Sequence, residues 1–175
     1  MSRKRQLLVV ALLLALIGLA APTTAQAHVL QVSCEGTVHN AYNPPLTATP
    51  RDTEVTVDSS YNIGCVAPGH EEILPGSAHV HVTVPDYSCI DLLSTAPGTQ
   101  TITWADGSTT TYAYTRAVSN IAGTLVVTNS GTVTAGRFTG STVLQVATAP
   151  APNPLICLTT GYTSLTAAVS LQILL

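Results

Sequence analysis

Two histidines two residues apart, His79 and His81, are the most chemically suggestive pair in this 175-residue chain. They lie in Ser77–Val84, where Ala78, Val80, Val82 and Val84 share one parity and His79, His81 and Thr83 the other. That alternation predicts a half-buried strand. Both imidazoles would then project from one face, roughly 6–7 Å apart, a spacing that suits one zinc or copper ion. His70 is a further candidate ligand. His28 joins the set if the chain is cut after Ala27, because a terminal amine and its own imidazole chelate copper together. On the polar face of an alternating strand, however, any polar residue serves, and solvated surface histidines are commoner than ligands. A copper or zinc site is therefore the alternative expectation, and no cofactor the main one.

Aromatic residues supply the second candidate. Trp104, Tyr112 and Tyr114 flank the segment Ala105-Asp106-Gly107-Ser108. Asp-Gly between two Thr-rich runs predicts a two-residue hairpin turn, since such turns need positive φ at their central positions. That turn pairs Thr103 with Thr110. It puts Ile102 and Trp104 on one face and Tyr112 and Tyr114 on the other. With the Trp104 face inward, the tyrosines become an exposed platform for stacking on sugar rings, as a carbohydrate or cell-wall binding module requires. Packed in the plainer way, Trp104 is a core tryptophan and the tyrosines are ordinary cross-strand neighbours.

Catalysis finds little support. Glu71 and Glu72 are adjacent, and neighbours on an extended segment point apart. Asp86 and Asp91 flank Cys89 without a partner base. Neither a Gly-x-Ser-x-Gly elbow nor a His-Glu-x-x-His helix nor a phosphate loop occurs. The expectation is a non-enzyme.

The N-terminus explains where such a protein would work. Arg3, Lys4 and Arg5 precede an apolar run from Leu7 to Ala21, and Ala25-Gln26-Ala27 supplies small residues for cleavage. This is the order of an export signal, and the run is shorter than the roughly 20 residues of a membrane span. Residues 1–27 are thus expected to be removed, leaving residues 28–175 as a single secreted, extracellular domain. Only Arg51, Arg116 and Arg137 then remain basic against nine acidic residues, a net charge of 3 − 9 = −6. Such a surface attracts neither nucleic acid nor anionic lipid. A cell-wall polymer or another extracellular protein fits better as partner.

All four cysteines follow the cleavage point, and an oxidising compartment pairs them. Of the three possible pairings, Cys34–Cys65 and Cys89–Cys157 are favoured, because Cys34 and Cys65 both fall on the apolar parity of their strands. Thr and Val dominate the rest, with Gly and Pro as punctuation. The last strand is the clearest: Leu165, Ala167, Val169, Leu171, Ile173 and Leu175 alternate with polar or small residues. About eight or nine such strands predict an all-β antiparallel sandwich of immunoglobulin-like type. A closed β-barrel is the runner-up.

Several segments carry a resemblance: Cys34-Glu35-Gly36-Thr37, Tyr42 with Pro44-Pro45-Leu46-Thr47, Cys89-Ile90-Asp91-Leu92-Leu93, Thr101-Ile102-Thr103-Trp104-Ala105-Asp106-Gly107-Ser108, Gly136-Arg137-Phe138-Thr139-Gly140, Asn153-Pro154-Leu155-Ile156-Cys157 and Gly161-Tyr162-Thr163-Ser164-Leu165. Together they resemble a group of small secreted proteins of actinomycete bacteria with no established activity. The resemblance implies export, β structure and two disulfides, and adds no active site. The functional expectation is a secreted structural or binding protein.

Overall fold

The computed structural model describes residues 29–175. Residues 1–28, which hold the expected export signal and His28, lie outside the described part. Eight strands follow one another: β1 (Leu30–Leu46), β2 (Arg51–Val66), β3 (Gly76–Tyr87), β4 (Ala96–Trp104), β5 (Thr109–Ile121), β6 (Thr124–Gly136), β7 (Thr142–Pro150) and β8 (Tyr162–Leu174). Each pairs antiparallel with its chain neighbour, and β8 pairs back on β1, so the sheet closes into a barrel.

The immunoglobulin-like sandwich is therefore corrected to the barrel. Alternation reports one apolar face per strand, and the inside of a barrel and the inner faces of a sandwich satisfy it equally. What decides is pairing. Short connections place every strand beside its predecessor, and the accumulated twist of eight strands brings the first against the last. From Leu30↔Leu174 to Ala41↔Ser164 the closing seam leaves no free edge on β1 or β8. Polar residues such as Thr37, His39, Asp58, His79 and Thr101 face outward and are exposed, while the apolar parity points in. That is the reverse of a membrane-spanning barrel, whose apolar band faces outward.

One end of the barrel is filled. Val32, Tyr61, Ile73, Ile102, Tyr112, Val143, Leu171 and Ile173 are all fully buried there. The Cys34–Cys65 disulfide ties β1 to β2 at this end. Shifts in the β1–β2 register at Ser33, Glu35 and Gly36 break the parity expected for β2. Tyr61 is the last residue of β2 to keep the inward parity of Val55 and Val57, and beyond it Ile63, expected inward, is 54% exposed.

The other end is roofed by loops rather than filled. The β3–β4 connection carries a single turn of 3-10 helix (Asp91–Leu93), and the β7–β8 connection a short helix, α1 (Pro154–Leu158). Cys89–Cys157 staples these two connections together. The backbone N–H groups of Cys89 and Ala48 donate to Thr47 O and Cys157 O, so the loop after β1 joins the same roof. Both disulfides follow the favoured pairing.

Candidate functional site

The barrel interior beneath the roof is hollow. A cavity of about 220 Å³ lies between the filled end and the loops. Its wall is apolar, built from inward residues such as Val55, Val57, Val80, Val127, Ala147 and Leu165. Small residues on β7 and β8 explain the space, because Ala147 and Ala167 stand where larger side chains would meet across the barrel. Eight strands leave just enough room for packed side chains or for one small ligand.

Polar side chains form the floor. Gln100 Nε2 donates to Ser59 Oγ at 3.2 Å, and the Tyr112 hydroxyl donates to Gln100 Oε1. Gln145 Nε2 donates to the Tyr61 hydroxyl, and Asn129 Nδ2 donates to Gln145 Oε1 at 2.6 Å. This network bridges β2, β4, β5, β6 and β7. It satisfies groups that would otherwise be costly to bury. One atom is left over: Asn129 Oδ1 is buried with no partner among the described residues. Burial pushes the Tyr61 and Tyr112 phenols above their ordinary value, so both stay neutral at physiological pH.

Arg116 is the one charged residue lining the cavity, near its rim. Its Nε donates to Ser94 O at 3.3 Å, and its Nη2 donates to Asp91 O and Leu92 O at 2.9 and 3.0 Å. The guanidinium thus holds the β3–β4 loop in place. Tyr42, Tyr87 and Tyr114 line the cavity as well. Burial raises all three phenols, and the charge of Arg116 opposes that rise at each.

The cavity also has an opening in its side. β3 and β4 pair only at Gly76↔Trp104 and Ser77↔Thr103. Beyond these residues the two strands part, and Val82, on the inward parity of β3, is 45% exposed.

The aromatic expectation is corrected by one residue of register. β4 and β5 pair Thr103 with Thr109 and Gln100 with Tyr112, not Thr103 with Thr110. The turn is a three-residue loop, closed by the bond from the Trp104 N–H to Ser108 O. Asp106 Oδ1 accepts from the Ser108 N–H and hydroxyl, and Gly107 takes a left-handed φ of 81°. A one-residue slip moves every side chain to the opposite face. Trp104 and Tyr112 are therefore both buried, with Trp104 Nε1 donating to Thr110 Oγ1 at 2.8 Å, and Tyr114 faces the cavity. No outward stacking platform forms from these three residues.

The histidines lie on the outer wall. Register sets His39 opposite Asp58 and Asp58 opposite His79, a row across three strands. His79 Nδ1 meets Asp58 Oδ1 at 2.6 Å. His39 bonds Thr166 instead, and His81 bonds Thr56. His70 is remote, packed edge-on against Phe138 at the filled end. Among the described residues no three His, Cys, Asp or Glu side chains converge as a metal site.

Sequence reasoning passed over Gln100, Arg116, Asn129 and Gln145. The signal was present: each is polar on a parity otherwise apolar, as in Leu125, Val127, Asn129 on β6 and Val143, Gln145, Ala147 on β7. Fold and cavity together define a class, an eight-stranded up-and-down β-barrel with a hollow half and a disulfide-stapled roof. Compared with known protein families, curated proteins and solved structures, the chain matches none of them significantly.

Proposed function

We propose that this protein is a secreted, non-catalytic binding protein that holds one small, largely apolar ligand inside its barrel. The observation that carries this reading is the half-filled interior: an apolar wall above a polar floor whose Asn129 Oδ1 lacks a partner. Ligand pockets have this composition, a mostly hydrophobic lining with a few placed polar groups. An exported carrier also accords with an acidic surface and two disulfides. A cell-wall polymer is too wide for a cavity of about 220 Å³, so the ligand is a small molecule.

The test is uptake of a neutral fluorescent reporter, N-phenylnaphthylamine, by the purified protein. Saturable enhancement at one reporter per chain is expected. Ala167→Trp, which fills the cavity from β8, should abolish that enhancement while the circular dichroism spectrum stays the same. Absence of saturable uptake by the unaltered protein, or uptake indifferent to the filling variant, would refute the proposal.

A further inference from the structure

We infer that the ligand carries a carboxylate, and that Arg116 receives it at the rim of the cavity; this rests on the carrier reading above. Three arginines occur among the described residues. Arg137 meets Glu72 and Asp106, at 3.0 and 3.5 Å. Arg51 bonds Pro45 O and Thr47 Oγ1 at the roof. Arg116 alone lines the cavity, and among the described residues it makes no ion pair with a carboxylate. The acid in its loop, Asp91, accepts from the Ser88 N–H and hydroxyl at 2.8 and 2.6 Å.

The guanidinium is held but not saturated. Its Nε and Nη2 hydrogens are taken by the three loop carbonyls. Of five N–H donors, the two on Nη1 make no bond to a carbonyl or carboxylate among the described residues, and the Tyr87 hydroxyl is the one side-chain group that lies against the guanidinium. The hydroxyls of Tyr42 and Tyr114 likewise make no hydrogen bond among the described residues, and both line the same cavity. Acceptor-poor and donor-rich, this rim complements a group with two acceptor oxygens and a negative charge. Loop anchoring orients the guanidinium beforehand, so little side-chain entropy is lost on binding.

Length sets the rest of the ligand. Arg116 and Tyr112 lie four residues apart on β5, so rim and floor are separated by about 13 Å along the strand. Apolar residues of β2, β6, β7 and β8 line that distance. A medium-length acid, head at Arg116 and tail toward the Gln100–Gln145 floor, matches the arrangement. The rim thus supplies head-group selectivity, and the wall supplies most of the affinity.

The experiment is calorimetric titration of the unaltered protein with decanoate, decanol, methyl decanoate and decylamine at one pH and ionic strength. Decanoate is expected to bind at least about tenfold more tightly than the alcohol or ester, the ratio of one charge-assisted hydrogen bond, and decylamine most weakly. Arg116→Gln should bring the decanoate-to-decanol affinity ratio close to one, and Arg116→Lys should restore part of that ratio. Equal affinities for acid, alcohol and ester would overturn the carboxylate assignment and leave the carrier reading standing. No binding in any arm, together with no reporter uptake, would overturn both. If Arg116→Gln loosens the loop, the head-group series on the unaltered protein still decides.

Discussion

Asn129 on β6 and Gln145 on β7 face each other across one step of the sheet, and the amide nitrogen of the first donates to the amide oxygen of the second at 2.6 Å. That single bond orients Gln145 so that its own nitrogen reaches Tyr61 on the far wall. The barrel is thereby cross-braced at mid-height by amides and phenols, beneath a space that apolar packing leaves empty.

Removing the brace should cost stability in proportion to the groups stranded. Gln145→Leu leaves Asn129 and Tyr61 without their partner, and an unsatisfied buried polar group costs about 1–3 kcal/mol. Urea unfolding is expected to show a loss of about 2–4 kcal/mol, with an unchanged m-value. Tyr112→Phe strands less, since Gln100 Oε1 also faces Gln145 Nε2 at 3.4 Å, and should lose about 1 kcal/mol. The reverse order of the two variants would contradict the network described.

Alkaline pH should unfold the protein through its tyrosines. Burial raises Tyr61 and Tyr112 above the ordinary value of 10.0, and Tyr42, Tyr87 and Tyr114 are raised too. The unfolded chain releases those protons first, so above the ordinary value the folded state holds more of them. Stability is therefore complete below about pH 10 and falls as pH rises beyond it. Tyrosinate absorbance and circular dichroism should change together in one cooperative step. Ionisation of most tyrosines with the fold intact would count against their buried placement.

The roof depends on the bond between Cys89 and Cys157, which spans 68 residues. Closing a loop of that size restricts the unfolded chain by about 4 kcal/mol in the chain-entropy account. A double Cys→Ser variant at these positions should melt well below the parent and release reporter from the cavity faster. Stopped-flow displacement reads the second effect. Unchanged release would mean that the roof does not gate the cavity.

Backbone contact rather than side-chain packing should make Gly131 intolerant. It pairs with Tyr114 of β5, and a Cβ there would overlap the Ala113 carbonyl. Gly131→Ala forces the strands apart and should cost about 3 kcal/mol or more, as overpacked sites do. Gly123, at a positive φ of 83° with open space around it, is strained by substitution for a conformational reason alone. Thermal melting of both variants should rank Gly131→Ala as the worse.

On the outer wall, His79 and Asp58 are 66% and 57% exposed as side chains. Exposed pairs contribute little. His79→Ala should shift the urea midpoint by less than the equivalent of about 1 kcal/mol, despite its short contact with Asp58. A larger loss would assign the row His39–Asp58–His79 a structural role.

Local chemistry determined much of this protein from its sequence. The β-branched alternation of β8, with Val169, Leu171 and Ile173 buried as their parity requires, is a property of a few consecutive residues. So is the inward placement of Cys34, which forms its disulfide with Cys65. Closure of the sheet is different, because β1 meets β8 across more than a hundred residues and no local pattern encodes that meeting. The site is different for the same reason. Whether Tyr112 points in or out turned on one residue of register at the Asp106-Gly107 loop. The gathering of Gln100, Asn129 and Gln145 at one height, and of Arg116 against the loop that Cys157 anchors, exists only once the barrel has closed. Periodicity tells each strand which side is apolar; only long-range pairing decides which polar residues share the inside, and how much room they leave.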